Sequence, residues 1–481
     1  MCYTEFKFSE NIFSKVQGVN TEMFVGREKE LAQLTKIFHS AKKETVLIYG
    51  KRRIGKSTLI SEAAKGFDGK VIANVCIRST FHGNIGLLSR NVSLALGLPD
   101  LHMTSLADIF HFLSTQNQKF LVVIDEYQYM KEAGRPGEVD SHMQNIIDQL
   151  SDNICLVLCG SYVSVMKELL EEENPLFGRF TQIIHLEEFD YRESALFYPD
   201  STMPDKITWY SVFGGSPYVL STIDTKDSLK NNVIQLLLPA TGILRSYIEN
   251  IMLREIEKSY DVRILEIIGN GKKRYSDIAS ALGGDKNGLL SKQLNNLMDM
   301  ETIAKIFPIN KPHDKKKSFY SVRDNLMRFY FTFLFGNDGV ISHIGENAYY
   351  NRFIEPYLTE FISRRFEDIV LQYFGRLTRS EVRTDILDIG SYWYDDSVHK
   401  KNGEFDCVVK TDSGYEFYEC KFYKNPMSRA ECDREAAQVR AIPEISASRV
   451  GFVCSDGFDF TSDDYVLITG DELFNTPEQT S

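Results

Sequence analysis

Gly50-Lys51-Arg52-Arg53-Ile54-Gly55-Lys56-Ser57 is the stretch that decides the fold. It fits G-x-x-x-x-G-K-[ST] without a gap. Thr45–Tyr49 (TVLIY) before it predicts a strand, and Ser57–Ala64 after it predicts a helix. That is the context a phosphate-binding loop requires. The glycines let backbone N–H groups curl around phosphate oxygens, and the helix N-terminus adds a positive dipole. Lys56 is expected to reach the β- and γ-phosphates and the Ser57 hydroxyl to ligate Mg²⁺. Gly50, Gly55, Lys56, Ser57 and Thr58 form the candidate nucleotide-binding set.

Working outward, Lys70–Cys76, Phe120–Ile124 and Ile154–Cys159 are further short apolar runs. Such runs suit strands buried on both faces of a parallel sheet. Helical stretches such as Arg27–Phe38 and Asp140–Leu150 separate them, so a doubly wound α/β domain is expected over residues 1–190. Phe120–Ile124 runs into Asp125 and Glu126. Asp125 is expected to hold Mg²⁺ through water, and Glu126 to orient and polarise the attacking water. A capped strand end is the plainer reading of the same pair. Ser161, after Ile154–Cys159 and Gly160, could touch the γ-phosphate or the water, or simply cap the helix Tyr162–Leu170. Arg179, in the Gly/Pro-containing loop 174–180, could stabilise transition-state charge in a neighbouring subunit, or be a plain surface arginine.

These segments occur in a familiar order: Phe24-Val25-Gly26-Arg27-Glu28, the phosphate loop, Ile124-Asp125-Glu126, Cys159-Gly160-Ser161, Phe177-Gly178-Arg179 and Phe213-Gly214-Gly215-Ser216-Pro217. The set resembles the archaeal-type AAA ATPase family, related to the STAND NTPases, over residues ~20–330. The resemblance implies ATP as the nucleotide, Gly26 and Arg27 near the adenine, and a winged helix after the ATPase core. The residues alone leave ATP against GTP open, although no N-K-x-D guanine signature is visible.

Beyond the core, residues 191–255 read as a helical lid. Within 256–335, three short helices (Val262–Ile268, Tyr275–Leu282, Gly288–Met298) precede two strands (Ile303–Phe307, Ser318–Val322), an order that resembles a winged helix. Residues 261–330 carry 13 Lys/Arg against 8 Asp/Glu. Lys272-Lys273-Arg274 and Lys315-Lys316-Lys317 supply much of the excess. Phosphate contacts by such a module would give salt-dependent DNA binding, while a protein-packing module with solvated lysines is the other reading.

Residues 345–481 begin with a long amphipathic helix, Asn351–Phe374, and continue in strands. Glu404–Val409 and Tyr415–Phe422 flank Asp412-Ser413-Gly414 and read as a hairpin. A two-residue turn at Asp412-Ser413 sets Asp406 opposite Glu419, and a turn at Ser413-Gly414 sets it opposite Lys421. Strict alternation places Glu404, Asp406 and Val408 on one face, and Asp406, Glu419 and Lys421 on a shared one. Two carboxylates can bind a hard divalent metal, with Glu367 on the long helix as a third and Lys421 stabilising the phosphoryl charge. A cross-strand ion-paired cluster is the alternative. The spacing D-x12-E-x-K with a helical glutamate upstream resembles the PD-(D/E)XK restriction-endonuclease-like superfamily over residues ~345–455. The resemblance implies a metal-dependent nuclease site at Glu367, Asp406, Glu419 and Lys421, using Mg²⁺ or Mn²⁺. Gln438, on the segment Ala436–Arg440, is a further candidate for approaching nucleic acid.

The composition is consistent with this multidomain reading. The chain has 481 residues, a net charge of −12, 43% hydrophobic and 25% charged residues, which excludes wholesale disorder. No apolar run approaches a membrane span, no signal-peptide pattern opens the sequence, and eight cysteines lie scattered without a C-x-x-C pair. A reduced, cytoplasmic setting is expected. The expected partners are ATP, nucleic acid (DNA ahead of RNA) and a second copy of the chain, with no membrane. The leading expectation is an ATPase coupled to metal-dependent nucleic-acid binding or cleavage. The alternatives are a nucleotide-dependent switch or scaffold and an ATP-regulated transcription factor.

Overall fold

The computed structural model describes residues 24–253, 261–269, 271–284, 288–396, 401–442 and 445–475. The amino-terminal segment read above for targeting signals lies outside them, as do residues 256–260 of the middle segment. The chain forms two compact units, Met1–Glu188 and Phe189–Ser481.

The first unit is built on five parallel strands: β1 (Glu44–Tyr49), β2 (Lys70–Val75), β3 (Phe120–Asp125), β4 (Ile154–Gly160) and β5 (Gln182–His185). Their order is β2-β3-β4-β1-β5. Every residue of β3 and β4 is buried, as continuous apolar runs covered on both faces require. Helices Glu28–Phe38 and Lys56–Ala64 cover one face, with Leu34, Phe38, Leu59 and Ile60 packed on Val46, Ile48 and Leu121. Helices Phe81–Leu96, Leu106–Ser114 and Glu138–Asp148 cover the other. All five strands point the same way, so the loops after β1, β3 and β4 meet at one edge. Ligands of open α/β sheets bind at that carboxyl edge. The architecture resembles the P-loop NTPase fold.

The second unit opens with helices including Tyr191–Ala195, Met203–Phe213 and Leu229–Leu236. The Gly214-Gly215 turn between helices is obligatory. Gly214 has φ 71°, and a Cβ on Gly215 would lie 1.9 Å from the Phe189 carbonyl oxygen. Helices Arg263–Gly269, Tyr275–Ala281 and Leu289–Asp299 follow, then an antiparallel pair, β6 (Ile303–Ile306) and β7 (Phe319–Val322). This is the element order expected from the sequence.

The carboxyl-terminal sheet has the order β12-β11-β10-β9-β8. Its strands are β8 (Ile386–Asp396), β9 (Lys401–Thr411), β10 (Gly414–Lys421), β11 (Ala447–Cys454) and β12 (Val466–Thr469). β8, β9 and β10 pair antiparallel, while β10, β11 and β12 pair parallel. The long helix runs from Glu355 to Arg379, starting later than expected. Pro356 sits in its first turn, where its missing N–H is tolerated, and a wider π turn at Tyr350–Ile354 precedes it. Phe366, Val370 and Phe374 of this helix pack with Cys407, Val409 and Tyr418. Cys432, Ala436 and Val439 of helix Arg429–Arg440 pack with Val408, Phe417 and Phe452 on the opposite face. One apolar cluster runs from Phe189 through the middle helices to Leu473, so the helices after Phe189, the middle segment and the sheet share a core.

Candidate functional site

The loop after β1 closes tightly. Gly50 has φ 156°, and a Cβ there would lie 2.2 Å from the Leu186 carbonyl oxygen beyond β5. Gly55, at φ 91°, makes the left-handed step into helix Lys56–Ala64. Both glycines are therefore demanded by the backbone. Lys56 is 7% exposed, and its Nζ donates to the carbonyls of Gly50 and Lys51, each at 2.8 Å. The ammonium is thus held inside the loop that would wrap the phosphates. Thr58 is exposed on the same helix.

β3 delivers the carboxylates. Ser57 Oγ donates to Asp125 Oδ2 at 2.8 Å. Two oxygen ligands from different elements therefore sit side by side, a donor set that suits Mg²⁺ beside a phosphate. Glu126 adopts φ 52°, and its amide donates to Asp125 Oδ1 at 2.8 Å. This turn aims the Glu126 carboxylate away from Asp125 toward β4. There it accepts a 2.6 Å bond from Ser161 Oγ and another from Gln128 Nε2. Gln128, fully buried, also donates to Ser161 at 3.1 Å. Ser161 does not cap the following helix: Tyr162 holds that position in front of Val163–Glu168. Cys76 and Cys159 near this edge are buried; burial first, and Asp125 second, raise both thiols, Cys76 to about 12. They are packing residues rather than nucleophiles.

Gly26 and Arg27 both take left-handed backbone angles, φ 70° and 64°. The buried Arg27 guanidinium donates to the Glu187 carbonyl and lies 3.6 Å from Glu30. This ties the turn to the segment after β5 that also closes over Gly50.

Arg179 stands apart from these groups. Its Nε lies 2.9 Å and its Nη2 3.3 Å from the two Asp148 carboxylate oxygens, and Nη1 donates to the Pro175 carbonyl at 2.8 Å. Thr181 bonds Thr45 at the start of β1. Arg179 thus lies near the amino edge of the sheet, a strand's length of roughly 20 Å from the phosphate loop, and is not brought to its own chain's site.

The carboxyl-terminal groups depart from the expectation. The turn is Asp412-Ser413, since Thr411 pairs with Gly414, so Asp406 and Glu419 occupy opposing positions one step past the last pair, Tyr418 with Cys407. Across β8, however, Gly390 faces Val408 and Tyr392 faces Phe405. Two residues, Asp406 and Cys407, therefore stand against Ser391 alone. This β-bulge interrupts the alternation. Phe405 and Val408 now share the face of Phe417, with Phe405 and Phe417 centroids 5.2 Å apart. Glu404 and Asp406, flanking Phe405, point the other way, whereas Glu419 and Lys421 follow Phe417. Val408 is thus not on the face of Glu404, and Asp406 does not share one with Glu419 and Lys421. Among the described residues, Glu367, Asp406 and Glu419 do not gather one oxygen each within 4.8 Å. They do not fit a common metal ion in this arrangement.

Other partners occupy these groups. Lys421 Nζ bonds Glu419 at 2.6 Å. Lys272, from the turn between helices Arg263–Gly269 and Tyr275–Ala281, bonds Asp406 at 2.6 Å and Glu404 at 3.0 Å. Burial alone would lower Lys272, but the Asp406 and Glu404 charges raise it. Lys317 bonds Asp395 at 3.2 Å and lies 3.9 Å over the Trp393 ring. Arg274 stacks over Phe319 and Trp393. Part of the basic surface, read above as either a DNA contact or a packing face, therefore docks the middle segment on β8 and β9. Lys311, Lys315 and Lys316 remain exposed. Gln438 is exposed and bonds Glu435 on its own helix.

Glu367 is pushed up to about 8, first by burial and then by Asp406 and Asp368. The folded state therefore keeps a proton that an unfolded glutamate loses near pH 4.5. Its stabilising contribution is complete below that pH and is lost as pH rises toward about 8. Glu367→Gln should leave thermal stability nearly unchanged at pH 5 and raise it relative to wild type at pH 8.5. An identical difference at both pH values would contradict this assignment.

Residues 24–223 match a family described as an ATPase domain predominantly from Archaea, and residues 330–435 match one described as archaeal and bacterial proteins of unknown function. Sheet, loop and family match together make residues 24–223 a P-loop ATPase domain. Over 398 residues the chain is 25% identical to an uncharacterized protein of Methanocaldococcus jannaschii, covering 81% of this chain and 85% of that protein. The Walker-type ATPase PABY2304 of Pyrococcus abyssi is 20% identical with a TM-score of 0.49, covering 64% of this chain and 96% of that one. The Aeropyrum pernix ORC2 protein is 14% identical with a TM-score of 0.44, covering 67% and 97%. No described helix is long and apolar enough to cross a membrane.

Proposed function

We propose that this protein is a Mg²⁺-dependent ATP-hydrolysing switch whose carboxyl-terminal half binds a partner according to the nucleotide held. The observation that carries the reading is the pair of bonds Ser57–Asp125 and Ser161–Glu126 at one carboxyl sheet edge beside Lys56. Lys56 and the loop amides hold the phosphates, Ser57 and Asp125 hold Mg²⁺, and Glu126 orients the attacking water. Gly26 and Arg27 line the adenine end. Ser57→Ala should weaken Mg²⁺-dependent ATP turnover by about 10-fold or more, with part of the loss recovered at higher Mg²⁺. Equal turnover and equal Mg²⁺ dependence in both proteins would contradict the assignment.

Nucleic acid is the favoured partner, contacted by the exposed Lys311, Lys315 and Lys316. Helix Leu289–Asp299 exposes Ser291, Lys292, Asn295 and Asp299, a face with little net positive charge. Backbone contact rather than sequence readout is therefore favoured, and the transcription-factor reading loses ground. The bulge and Lys272 favour a binding role for the carboxyl-terminal sheet over cleavage. DNA or RNA degradation with Mg²⁺ or Mn²⁺, abolished by Asp406→Ala, would reverse that order.

A further inference from the structure

Lys51 and Arg52, adjacent in the phosphate loop, are directed differently. Lys51 leaves the loop toward Glu188, with Nζ 3.0 Å from Oε1. Arg52 instead extends across the carboxyl edge of the sheet. Its Nη2 donates to the Tyr129 hydroxyl, its Nε lies 3.5 Å from Ser161 Oγ, and its guanidinium carbon lies 5.6 Å from the Tyr162 ring centroid. Ser161 in turn donates to Glu126 at 2.6 Å. The cation therefore stands one hydroxyl away from the carboxylate that orients the attacking water, and its backbone belongs to the loop that wraps the phosphates.

Resting on the ATPase reading above, we propose that Arg52 is the charge-stabilising arginine of the hydrolysis step, supplied by the same chain that binds the nucleotide. With ATP bound, the guanidinium turns from Tyr129 and Ser161 to donate to γ-phosphoryl oxygens. The water oxygen forms a bond to Pγ, the bond from Pγ to the β–γ bridging oxygen breaks, and ADP keeps that electron pair. The water proton passes to Glu126 and then to the phosphate product. Negative charge grows on the bridging and equatorial oxygens during this step, and a planar fork of N–H donors strengthens as it grows. Arg179, bonded to Asp148 near the amino edge, cannot do this within its own chain.

The test is ATP turnover by the full chain with Mg²⁺ for wild type, Arg52→Ala and Arg52→Lys, alongside the affinity of each for a fluorescent ADP analogue. Arg52→Ala should lower kcat about 10²–10³-fold with ADP affinity held within a few-fold, as removal of one transition-state donor does. Arg52→Lys should recover only a minor part of the rate, since an ammonium lacks the planar fork. ADP with aluminium fluoride should bind tightly to wild type and not to Arg52→Ala. Mixing Arg52→Ala with Lys56→Ala should restore nothing, because an arginine acting within its own chain cannot serve the neighbour's site. Near-wild-type kcat in Arg52→Ala, or recovery on mixing, would overturn the assignment while leaving the ATPase reading intact. A wild-type chain that binds ADP and hydrolyses no ATP would overturn the ATPase reading, and this assignment with it.

Discussion

Glu126→Gln is expected to lower ATP turnover by about 10²–10⁴-fold, the usual worth of a positioned general base, while ATP stays bound. The amide keeps the side chain's shape and can still face Ser161, so the network around β3 and β4 has no reason to collapse. Neither Ser57–Asp125 nor the Lys56 contacts to Gly50 and Lys51 involve Glu126, so phosphate and metal binding should persist. Only the polarisation of the water is lost. A single-turnover experiment reads this directly: the variant holds ATP where wild type releases ADP and phosphate.

Lys56→Ala should have the opposite signature, with nucleotide binding itself failing. The ammonium is nearly buried and bonds two loop carbonyls at 2.8 Å. It satisfies those acceptors, and with ATP bound it would neutralise the phosphates they surround. Its removal takes away the only full charge at the head of helix Lys56–Ala64 in the described residues 54–60, and leaves loop carbonyls unpaired. ATP should then no longer raise the melting temperature, whereas for wild type saturating nucleotide at about 100 Kd adds roughly 2.7 kcal/mol. A preserved ATP-dependent shift in Lys56→Ala would show that the nucleotide binds elsewhere.

The candidate nucleotide site was legible because its signals are contiguous. A strand, eight loop residues and a helix specify the turn locally, and Asp125-Glu126 ends an apolar strand that can only be central. What the sequence could not convey was direction. Arg52 occupies an unspecified position in the motif, and only the folded loop shows its guanidinium reaching Ser161 and Tyr129. Gln128 reads as an ordinary helical glutamine until its amide is seen holding Glu126.

In the carboxyl-terminal half the hairpin strands and the long helix were readable, the turn was open between Asp412-Ser413 and Ser413-Gly414 until the pairing of Thr411 with Gly414 settled it, and the site was not legible. Alternation assumes a regular strand, and one extra residue opposite Ser391 sends Asp406 to the face away from Glu419. Lys272 was read as part of a cluster that either contacts DNA or lies on a packing face, because nothing local in Lys272-Lys273-Arg274 indicates carboxylates more than a hundred residues further on. Both failures are tertiary: a bulge and a long-range ion pair leave no periodic trace.

The most direct test of the central claim is a single-turnover measurement of Mg²⁺-ATP bound to the full chain, wild type beside Glu126→Gln. The account predicts that wild type converts its bound ATP to ADP and phosphate while Glu126→Gln retains ATP at equal occupancy. Intact ATP on both proteins, or conversion at the same rate by both, would contradict it.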